Sequence, residues 1–380
     1  MITTPELPSS FVLRNICEIT GSVFELKQNF NQDIARNTIV QWFASFKVYD
    51  EAKAQKWLEY GRFDTFAALS FPDADLSHLE TCLAFLLWAF STDDLSDEGE
   101  LQCKPDDVKS GHAASYMILH DANAPQPDYP YAAMLWDLLR RIRSTASAGT
   151  VNRHVSLSRS MWTIYLLSGS RFIQAFLDWS ESQVQQAANR SVDRMPPVEE
   201  FILMRRCTIG AALVEGIIVF VLHNTKLTHS LSTFLAMVEY SLDIELPDYV
   251  FQDPIFIGMS HAMADIMTWP NDLCSFNKEQ ADGDYQNLVC VLQHTYGLDL
   301  QGAVDMLTDM IRDRVQDYTD LKKRLPSFGS EVDTAVRRYH EAMENFTQGC
   351  VVWYYSSPRY FRNTNPLGKD MVVIELFPRN

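Results

Sequence analysis

A run of acidic side chains follows an apolar stretch in the segment LLWAFSTDDLSDEGELQ. Asp93 and Asp97 are four positions apart, so both lie on one face if the segment is helical. Like charges at this spacing repel each other, and carboxylates are disfavoured at the negative end of a helix dipole. The pattern therefore predicts a positively charged partner that the neighbouring sequence does not supply.

Three interpretations fit this acidic cluster. A solvated acidic loop is the usual role of such a run. A calcium-binding EF-hand loop matches residues 94–99, but its twelfth position, where a glutamate is needed, is Pro105. The third interpretation is a magnesium site of the DDxxD type, in which Asp93, Asp94 and Asp97 hold cations that bind a phosphate. The motif alone does not distinguish them.

A second set of oxygen-bearing side chains lies downstream, in TWPNDLCSFNKEQADGDYQN. Asn271, Ser275 and Glu279 are spaced i, i+4 and i+8, along one helical face, after a proline that suits a helix start. Their oxygens are hard donors that suit Mg²⁺, and Lys278 adds a cation for a phosphate. A capped polar helix face is the alternative. The two motifs together favour a divalent-metal site.

Long helical patterns dominate the elements that must position these side chains, and alternating strand patterns are almost absent. Periodicity and capping residues predict helices over 35–60, 77–97, 131–145, 156–189, 198–210, 254–279, 300–325 and 331–355. We therefore predict an all-α bundle whose central cavity receives metal ligands from two facing helices.

Composition excludes several classes of function. The chain has 380 residues, 47% of them hydrophobic, which is enough for a large core, and no linker-like segment divides it. Its net charge of -17 argues against nucleic acid or an anionic membrane as the main partner. An anionic substrate would therefore need metal ions and arginines at its binding site.

The cysteines and the apolar segments bear on localisation. Seven cysteines show no metal-binding spacing, which indicates reduced thiols rather than a disulfide framework. The N-terminal sequence has no signal-peptide pattern, and the longest apolar run, LVEGIIVFVL, is too short to span a membrane. We expect a cytoplasmic protein without a membrane anchor.

In combination, these motifs resemble those of microbial class I terpene synthases. DDLSD and NDLCSFNKE look like that family's aspartate-rich and NSE motifs, and SSPRYF looks like its Arg-Tyr pair. The likeness extends through FPDADLSHLE, VEEFILMRRCTIG and SLDIELP, and WYYSSPRYF looks most like the fungal sesquiterpene cyclases. The resemblance implies the class I terpenoid synthase α-helical bundle, as a single domain over 1–380, and Mg²⁺-dependent cyclisation of farnesyl diphosphate.

The resemblance also implies a cluster of three Mg²⁺ ions that binds the diphosphate. Asp93, with Asp97 as the less certain ligand, would hold two of the ions. The third ion would be bound by the NSE motif, through Asn271, Ser275 and Glu279. Asp94 is expected to hydrogen-bond or to pair with an arginine.

Residues that would contact the diphosphate follow from the same resemblance. Arg206 matches the family's diphosphate-sensing arginine, with the neighbouring Arg205 as the alternative, and Gly210 matches the helix-break effector. Arg359 and Tyr360 match the pair that hydrogen-bonds the diphosphate when the site closes, and arginine offers it bidentate geometry.

Candidate pocket residues precede each metal motif on its own helical face. Ordinary core packing is the commoner role for such side chains. The candidates are Leu86, Ala89, Phe90, Ala264, Met267 and Thr268, with Trp353 ahead of the Arg-Tyr pair.

One spacing departs from the family pattern. Arg206 and Asn271 are 65 positions apart, more than the resemblance implies, and the surplus falls near residues 212–231. Removing these residues would join RRCTIGA to STFLAMVEYSLDIELP and restore the spacing. A retained intron and a natural loop insertion are the two explanations, and a β-branched insert in the effector helix would impair closure.

Several functions stay open at this stage. A prenyl diphosphate synthase would need a second DDxxD motif where this chain has NDLCSFNKE. A phosphatase would release farnesol, and a non-catalytic homologue would bind an isoprenyl diphosphate without turnover. Substrate length, product and monomer or homodimer assembly also stay open, because a methylene in a pocket changes binding by only about 1 to 3 kcal/mol.

Overall fold

The computed structural model describes residues 7–97, 101–120, 124–145, 161–209, 237, 241–242, 244, 246–247 and 249–379. Within these residues the fold is almost wholly helical, and the predicted all-α class is confirmed. The N-terminal half contains α1 Ile16–Gly21, α2 Gln32–Ser45, α3 Glu51–Gly61, α4 Phe63–Ser70, α5 Leu76–Asp97, α6 Pro105–His120 and α7 Pro130–Thr145.

The second half continues the bundle with longer helices. It contains α8 Met161–Ser191, α9 Val198–Thr208, a 3-10 turn Val250–Gln252, α10 Pro254–Ala281, α11 Leu288–Tyr296, α12 Leu300–Lys322, α13 Ser330–Ser356 and α14 Pro358–Phe361. All seven cysteines lie in the described part of the chain as thiols. Among the helices described here, none combines the length and apolarity that a membrane span needs.

Helix boundaries depart from the sequence prediction mainly where capping side chains interrupt the apolar pattern. The predicted helix 35–60 is two helices, because Lys47 adopts a left-handed conformation and Asp50 caps α3 by accepting a hydrogen bond from the Lys53 amide at 2.8 Å. Pro270 was predicted at a helix start but lies inside α10, where the proline lacks an amide proton for the helical hydrogen bond.

A short antiparallel ribbon joins the two ends of the described chain. Strand β1 Ser10–Arg14 pairs with β2 Met371–Glu375, with Phe11 opposite Ile374. Both of these side chains are buried. The strand-poor sequence pattern did not predict the ribbon, because two five-residue strands with one buried face carry little periodic signal.

Helices α5 and α10 run through the middle of the bundle. α10 packs against α12 and α13, and α5 packs against α2 and α7. Residues 81–88 of α5 and most of α10 are buried, as expected for helices that neighbours surround on several sides. Their polar C-terminal turns therefore end at one common cavity, which is lined by Asp93 from α5 and by Glu279 from α10.

Candidate active site

The aspartate-rich motif forms one wall of this cavity at the end of α5. Asp93 lines the cavity and accepts a hydrogen bond from Nε2 of Gln183 on α8. Asp94 is buried and accepts a hydrogen bond from Trp57 Nε1 at 2.7 Å. Asp97 is the last residue of α5, and its side chain lies outside the description. The structure thus places Asp93 as predicted but leaves Asp97 a prediction.

The NSE motif forms the opposite wall. Asn271, Ser275 and Glu279 lie on α10 and all line the same cavity. Asn287, the N-cap of α11, supports two of them: its Nδ2 lies 2.8 Å from Glu279 Oε2 and 3.5 Å from Ser275 Oγ. The predicted amide, hydroxyl and carboxylate donors therefore converge on one space.

These donors meet the chemical requirement for a divalent cation. Asp93 on α5 faces Asn271, Ser275 and Glu279 on α10 across the cavity, and hard oxygen donors are what Mg²⁺ prefers. Among the described side chains, no group of three His, Cys, Asp or Glu comes together as a metal cluster. Asp93 and Glu279 bring carboxylate oxygens to the cavity, and Asn271 and Ser275 bring amide and hydroxyl oxygens.

The two adjacent arginines of α9 point to different places. Arg205 lines the cavity and donates from Nη2 to Asp272 Oδ1 at 2.6 Å and to Asn271 Oδ1 at 2.9 Å. Arg206 instead forms a two-point ion pair with the buried Asp265, with both hydrogen bonds at 2.7 Å. Arg206 is not among the described residues that line the cavity, so the geometry favours Arg205, the alternative sensor.

Arg359 and Tyr360 connect the two metal motifs. Arg359 binds both carboxylate oxygens of Asp94, as the sequence predicted for Asp94 in pairing with an arginine. Asn271 Nδ2 donates to the Tyr360 hydroxyl at 3.3 Å. Arg359 and Tyr360 lie in the short helix α14, whose N-cap Ser357 accepts a hydrogen bond from the Arg359 amide at 3.3 Å. Helix α14 thus contacts one residue of each motif, Asp94 on α5 and Asn271 on α10.

Burial and neighbouring charges shift the pKa values of the polar groups at this end of the cavity. Burial raises the pKa of Glu279 to about 7, and the carboxylates of Asp284 and Asp272 add to the shift. Burial lowers the pKa of Lys278 to about 8, and Arg359 contributes to the lowering. Burial alone would raise the pKa of Asp94, but the charges of Arg359 and Lys278, together with the hydrogen bonds from Arg359 and Trp57, lower it below its usual value.

The remaining wall of the cavity is largely aromatic and apolar. Of the predicted pocket residues, Ala89, Phe90 and Met267 line it. Trp353 instead packs in the core, stacked on Phe66 with centroids 4.4 Å apart. The wall is completed by side chains that the sequence did not single out: Phe66, Trp88, Trp179, Phe346, Cys350 and Tyr354.

Two sequence predictions fall where the structure gives no description. Gly210, the predicted effector, lies outside the described residues, and so does the predicted insertion 212–231. Both remain predictions.

Helix α8 supplies cavity residues that sequence reasoning missed. Trp179, Gln186 and Arg190 line the cavity, and Gln183 contacts Asp93. Their spacing of four, three and four positions places them on one helical face, and this spacing was the available signal. It was missed because a stripe of glutamines carries no metal motif of its own.

Comparison with known proteins agrees with this geometry. A family model described as terpene synthase family 2, C-terminal metal binding, matches residues 84–231 and 221–317. Sesquiterpene synthase Agr1 of Cyclocybe aegerita is 28% identical over 312 residues, which cover 82% of this chain and 78% of that protein. Alpha-muurolene synthase of Coprinopsis cinerea is 25% identical, over 99% of this chain and 80% of that protein.

Solved structures share the fold. Germacradien-4-ol synthase from Streptomyces citricolor is similar with a TM-score of 0.68 at 20% identity, over 87% of this chain and 96% of that one. Wild-type cucumene synthase gives a TM-score of 0.66 at 17% identity, over 87% of this chain and 98% of that one. The family match spans more than half of the chain and includes both metal motifs, so the chain belongs to terpene synthase family 2, whose C-terminal region binds metal.

Proposed function

We propose that this chain is a class I sesquiterpene cyclase. It would ionise farnesyl diphosphate in a Mg²⁺-dependent step, cyclise the carbocation to a sesquiterpene hydrocarbon or alcohol, and release diphosphate. The observation that carries the proposal is one cavity with two kinds of wall. Asp93 faces Asn271, Ser275 and Glu279 at its polar end, and aromatic side chains form the rest.

The family resemblance implies three Mg²⁺ ions, and the oxygen donors at this end of the cavity are of the type that Mg²⁺ prefers. Asp93 and Asp97 would hold two ions, and Asn271, Ser275 and Glu279 would hold the third. When bound, the ions neutralise the diphosphate leaving group and so allow the allylic C–O bond to ionise.

Fixed cations of the chain would orient the diphosphate. Arg205 and Lys278 line the polar end of the cavity, and Arg359 and Tyr360 border it from α14. Arginine offers two parallel donors to a phosphate, whereas Lys278 acts as a point charge. Arg205 takes the role that the sequence assigned to Arg206, because only Arg205 reaches the cavity.

The aromatic wall would protect and guide the carbocation. Phe66, Trp88, Phe90 and Trp179 all line the cavity, and Trp88 and Phe90 precede Asp93 on α5. Aromatic faces stabilise a desolvated cation by about 2 kcal/mol each. Exclusion of water from this wall prevents premature capture of the cation.

The relatives favour a C15 substrate, because several are named sesquiterpene synthases. A second candidate, a homologue that binds an isoprenyl diphosphate without turnover, follows from the surplus residues 212–231. A prenyl diphosphate synthase is disfavoured, since α10 carries an NSE motif where that enzyme needs a second DDxxD. We place the activity in the cytoplasm, on a small isoprenyl diphosphate.

Gas chromatography with mass detection tests the proposal directly. The purified chain is incubated with geranyl, farnesyl and geranylgeranyl diphosphate, each with and without Mg²⁺. We expect a cyclic C15 product that requires Mg²⁺, is lost in Asp93→Asn and persists in Asp309→Asn, a surface control. Farnesol alone would indicate a phosphatase, and binding without product would indicate the non-catalytic homologue. A longer prenyl diphosphate, formed in a parallel incubation that also contains isopentenyl diphosphate, would indicate a prenyltransferase.

A further inference from the structure

Helix α8 presents a polar stripe to the metal-binding end of the cavity. After Trp179, the same helical face carries Gln183, Gln186 and Arg190. Trp179, Gln186 and Arg190 line the cavity, and Gln183 Nε2 donates to Asp93. The face therefore changes from aromatic to polar toward the level of the metal motifs.

Two side-chain oxygens in this stripe are buried without a partner. Gln183 is 1% exposed and Gln186 is 3% exposed. In the described part of the chain, neither Gln183 Oε1 nor Gln186 Oε1 accepts a hydrogen bond. A buried carbonyl oxygen without a donor is unfavourable, so such atoms usually have a water, an ion or a ligand as their partner.

The position of Gln186 identifies which partner fits. On one side along the helix, Gln183 contacts Asp93 of the aspartate-rich motif. On the other side, Arg190 Nη2 binds Asp284 at 2.7 Å, just after the NSE helix, and Asn189 Nδ2 donates to Gln286 at 3.3 Å. Gln186 thus lies between the two metal-binding walls and faces the cavity that they share.

We propose that Gln186 Oε1 is a ligand of the divalent cation held by Asp93, directly or through one water of its shell. An amide carbonyl oxygen is a hard donor of the kind that Mg²⁺ and Mn²⁺ accept. The inference rests on the proposed function, since that function places a cation at Asp93. It adds a third helix, α8, to the two that carry the recognised metal motifs.

The test uses metal binding in place of turnover. Mn²⁺ is titrated into the full chain with inorganic diphosphate, and free Mn²⁺ is followed by electron paramagnetic resonance. Gln186→Leu keeps the volume and removes the oxygen, and should weaken Mn²⁺ binding about tenfold, as loss of a metal-shell partner typically does. Gln185→Leu makes the same change on the exposed face of α8 and should leave binding unchanged.

Gln186→Glu separates a ligand from a structural residue. A carboxylate at the same place should tighten Mn²⁺ binding if residue 186 contacts the cation, whereas a residue that only packs gives no gain. Wild-type binding by Gln186→Leu, or binding by a folded Gln186→Glu that is no tighter than that of the wild type, overturns the inference. A wild-type chain that binds Mn²⁺ with diphosphate but makes no product from farnesyl diphosphate contradicts the cyclase proposal and leaves the Gln186 test intact.

Discussion

Arg205 Nη2 donates a hydrogen bond to Asn271 Oδ1 at 2.9 Å, so an arginine contacts an oxygen that is also proposed to bind a metal ion. The same guanidinium binds Asp272 and is only 8% exposed. Two cations repel each other at this separation, so metal binding at Asn271 would turn Arg205 away from that oxygen. The contact therefore couples the metal site to the position of a diphosphate-binding arginine.

This coupling predicts different outcomes for the two adjacent arginines. Arg205→Gln should lower kcat by about a hundredfold, the typical cost of one donor to a developing anion. Arg206→Gln should retain most of kcat but lower the free energy of unfolding by about 2 kcal/mol, since Asp265 loses two charge-assisted hydrogen bonds while it keeps its ion pair with Arg314. Steady-state kinetics and urea unfolding measure the two effects. Loss of kcat in Arg206→Gln without loss of stability would restore Arg206 as the diphosphate-sensing arginine.

The Asp94–Arg359 ion pair gives a second prediction. Its two oxygens and two guanidinium nitrogens match in a way that the single ammonium of lysine cannot reproduce. Arg359→Lys should therefore lower kcat at least tenfold, which corresponds to about 1.4 kcal/mol in the transition state. Arg312→Lys changes an arginine whose pair with Asp309 is exposed, and should leave kcat and the unfolding free energy almost unchanged. Equal effects of the two substitutions would contradict a role for bidentate geometry.

Phe90 tests the aromatic wall. Its ring lies 4.9 Å from the Phe63 ring and 5.8 Å from the Arg359 guanidinium carbon, so the ring is held against the cationic end of the cavity. Phe90→Leu removes an aromatic face worth about 2 kcal/mol to a desolvated cation and should lower kcat more than tenfold. We also expect a larger fraction of acyclic C15 alcohol among the products in chromatography. Phe46→Leu, directly after α2, is the control. An unchanged product mixture in Phe90→Leu would argue that the cation forms elsewhere.

The buried histidine His112 makes stability depend on pH. Burial lowers the pKa of His112 to about 4, and its Nδ1 lies 2.7 Å from Ser180 Oγ. The unfolded chain takes up a proton at this histidine near pH 6.5. The contribution of His112 to the free energy of unfolding is therefore fully present above that pH and falls as the pH drops toward 4. The loss from this residue amounts to about 2 kcal/mol between pH 7 and pH 5.

His112→Gln removes this titration. The free energy of unfolding in urea should therefore fall less between pH 7 and pH 5 in the variant than in the wild type. His294→Gln changes an exposed histidine and should keep the wild-type slope. A His112→Gln variant with the wild-type pH dependence would show that other groups cause the acid sensitivity.

The sequence predicted the two central helices and a cavity between them that receives Asp93, Asn271, Ser275 and Glu279. Residues 77–97 and 254–279 repeat apolar side chains at helical spacing, and the structure has helices Leu76–Asp97 and Pro254–Ala281 there. Within a helix, the spacing of Asn271, Ser275 and Glu279 alone determines that they share a face. Local periodicity was sufficient because these features depend on neighbouring residues in the same helix.

Other features depended on tertiary packing and were not predictable. Consecutive helical residues point about 100° apart. Periodicity therefore did not decide which of Arg205 and Arg206 faces the cavity; the packing of α9 against α10 does, with Asp265 buried beside Arg206. The Gln186 carbonyl also looks like an ordinary polar group until the structure shows that it is buried.

Residues 212–231 give the last prediction. The family match breaks into two segments that overlap at 221–231, inside the stretch that exceeds the family's spacing. Extra residues within an otherwise continuous domain would divide a match in this way. We expect a chain without 212–231 to form the cyclic C15 product at least as fast as the full chain, because the spacing between Arg206 and Asn271 would then match that of the family.

Two measurements examine this expectation. Product formation by the two chains is compared at equal concentration, together with their unfolding temperatures, so that a folding defect is not mistaken for loss of catalysis. Sequencing of the transcript then asks whether most messages encode 212–231. A shorter chain that folds but makes less product, with transcripts that keep these codons, would identify the segment as a functional part of the enzyme. In that case the spacing between Arg206 and Asn271 would differ from that of the family by a natural insertion, and residues 212–231 would take part in closure of the active site.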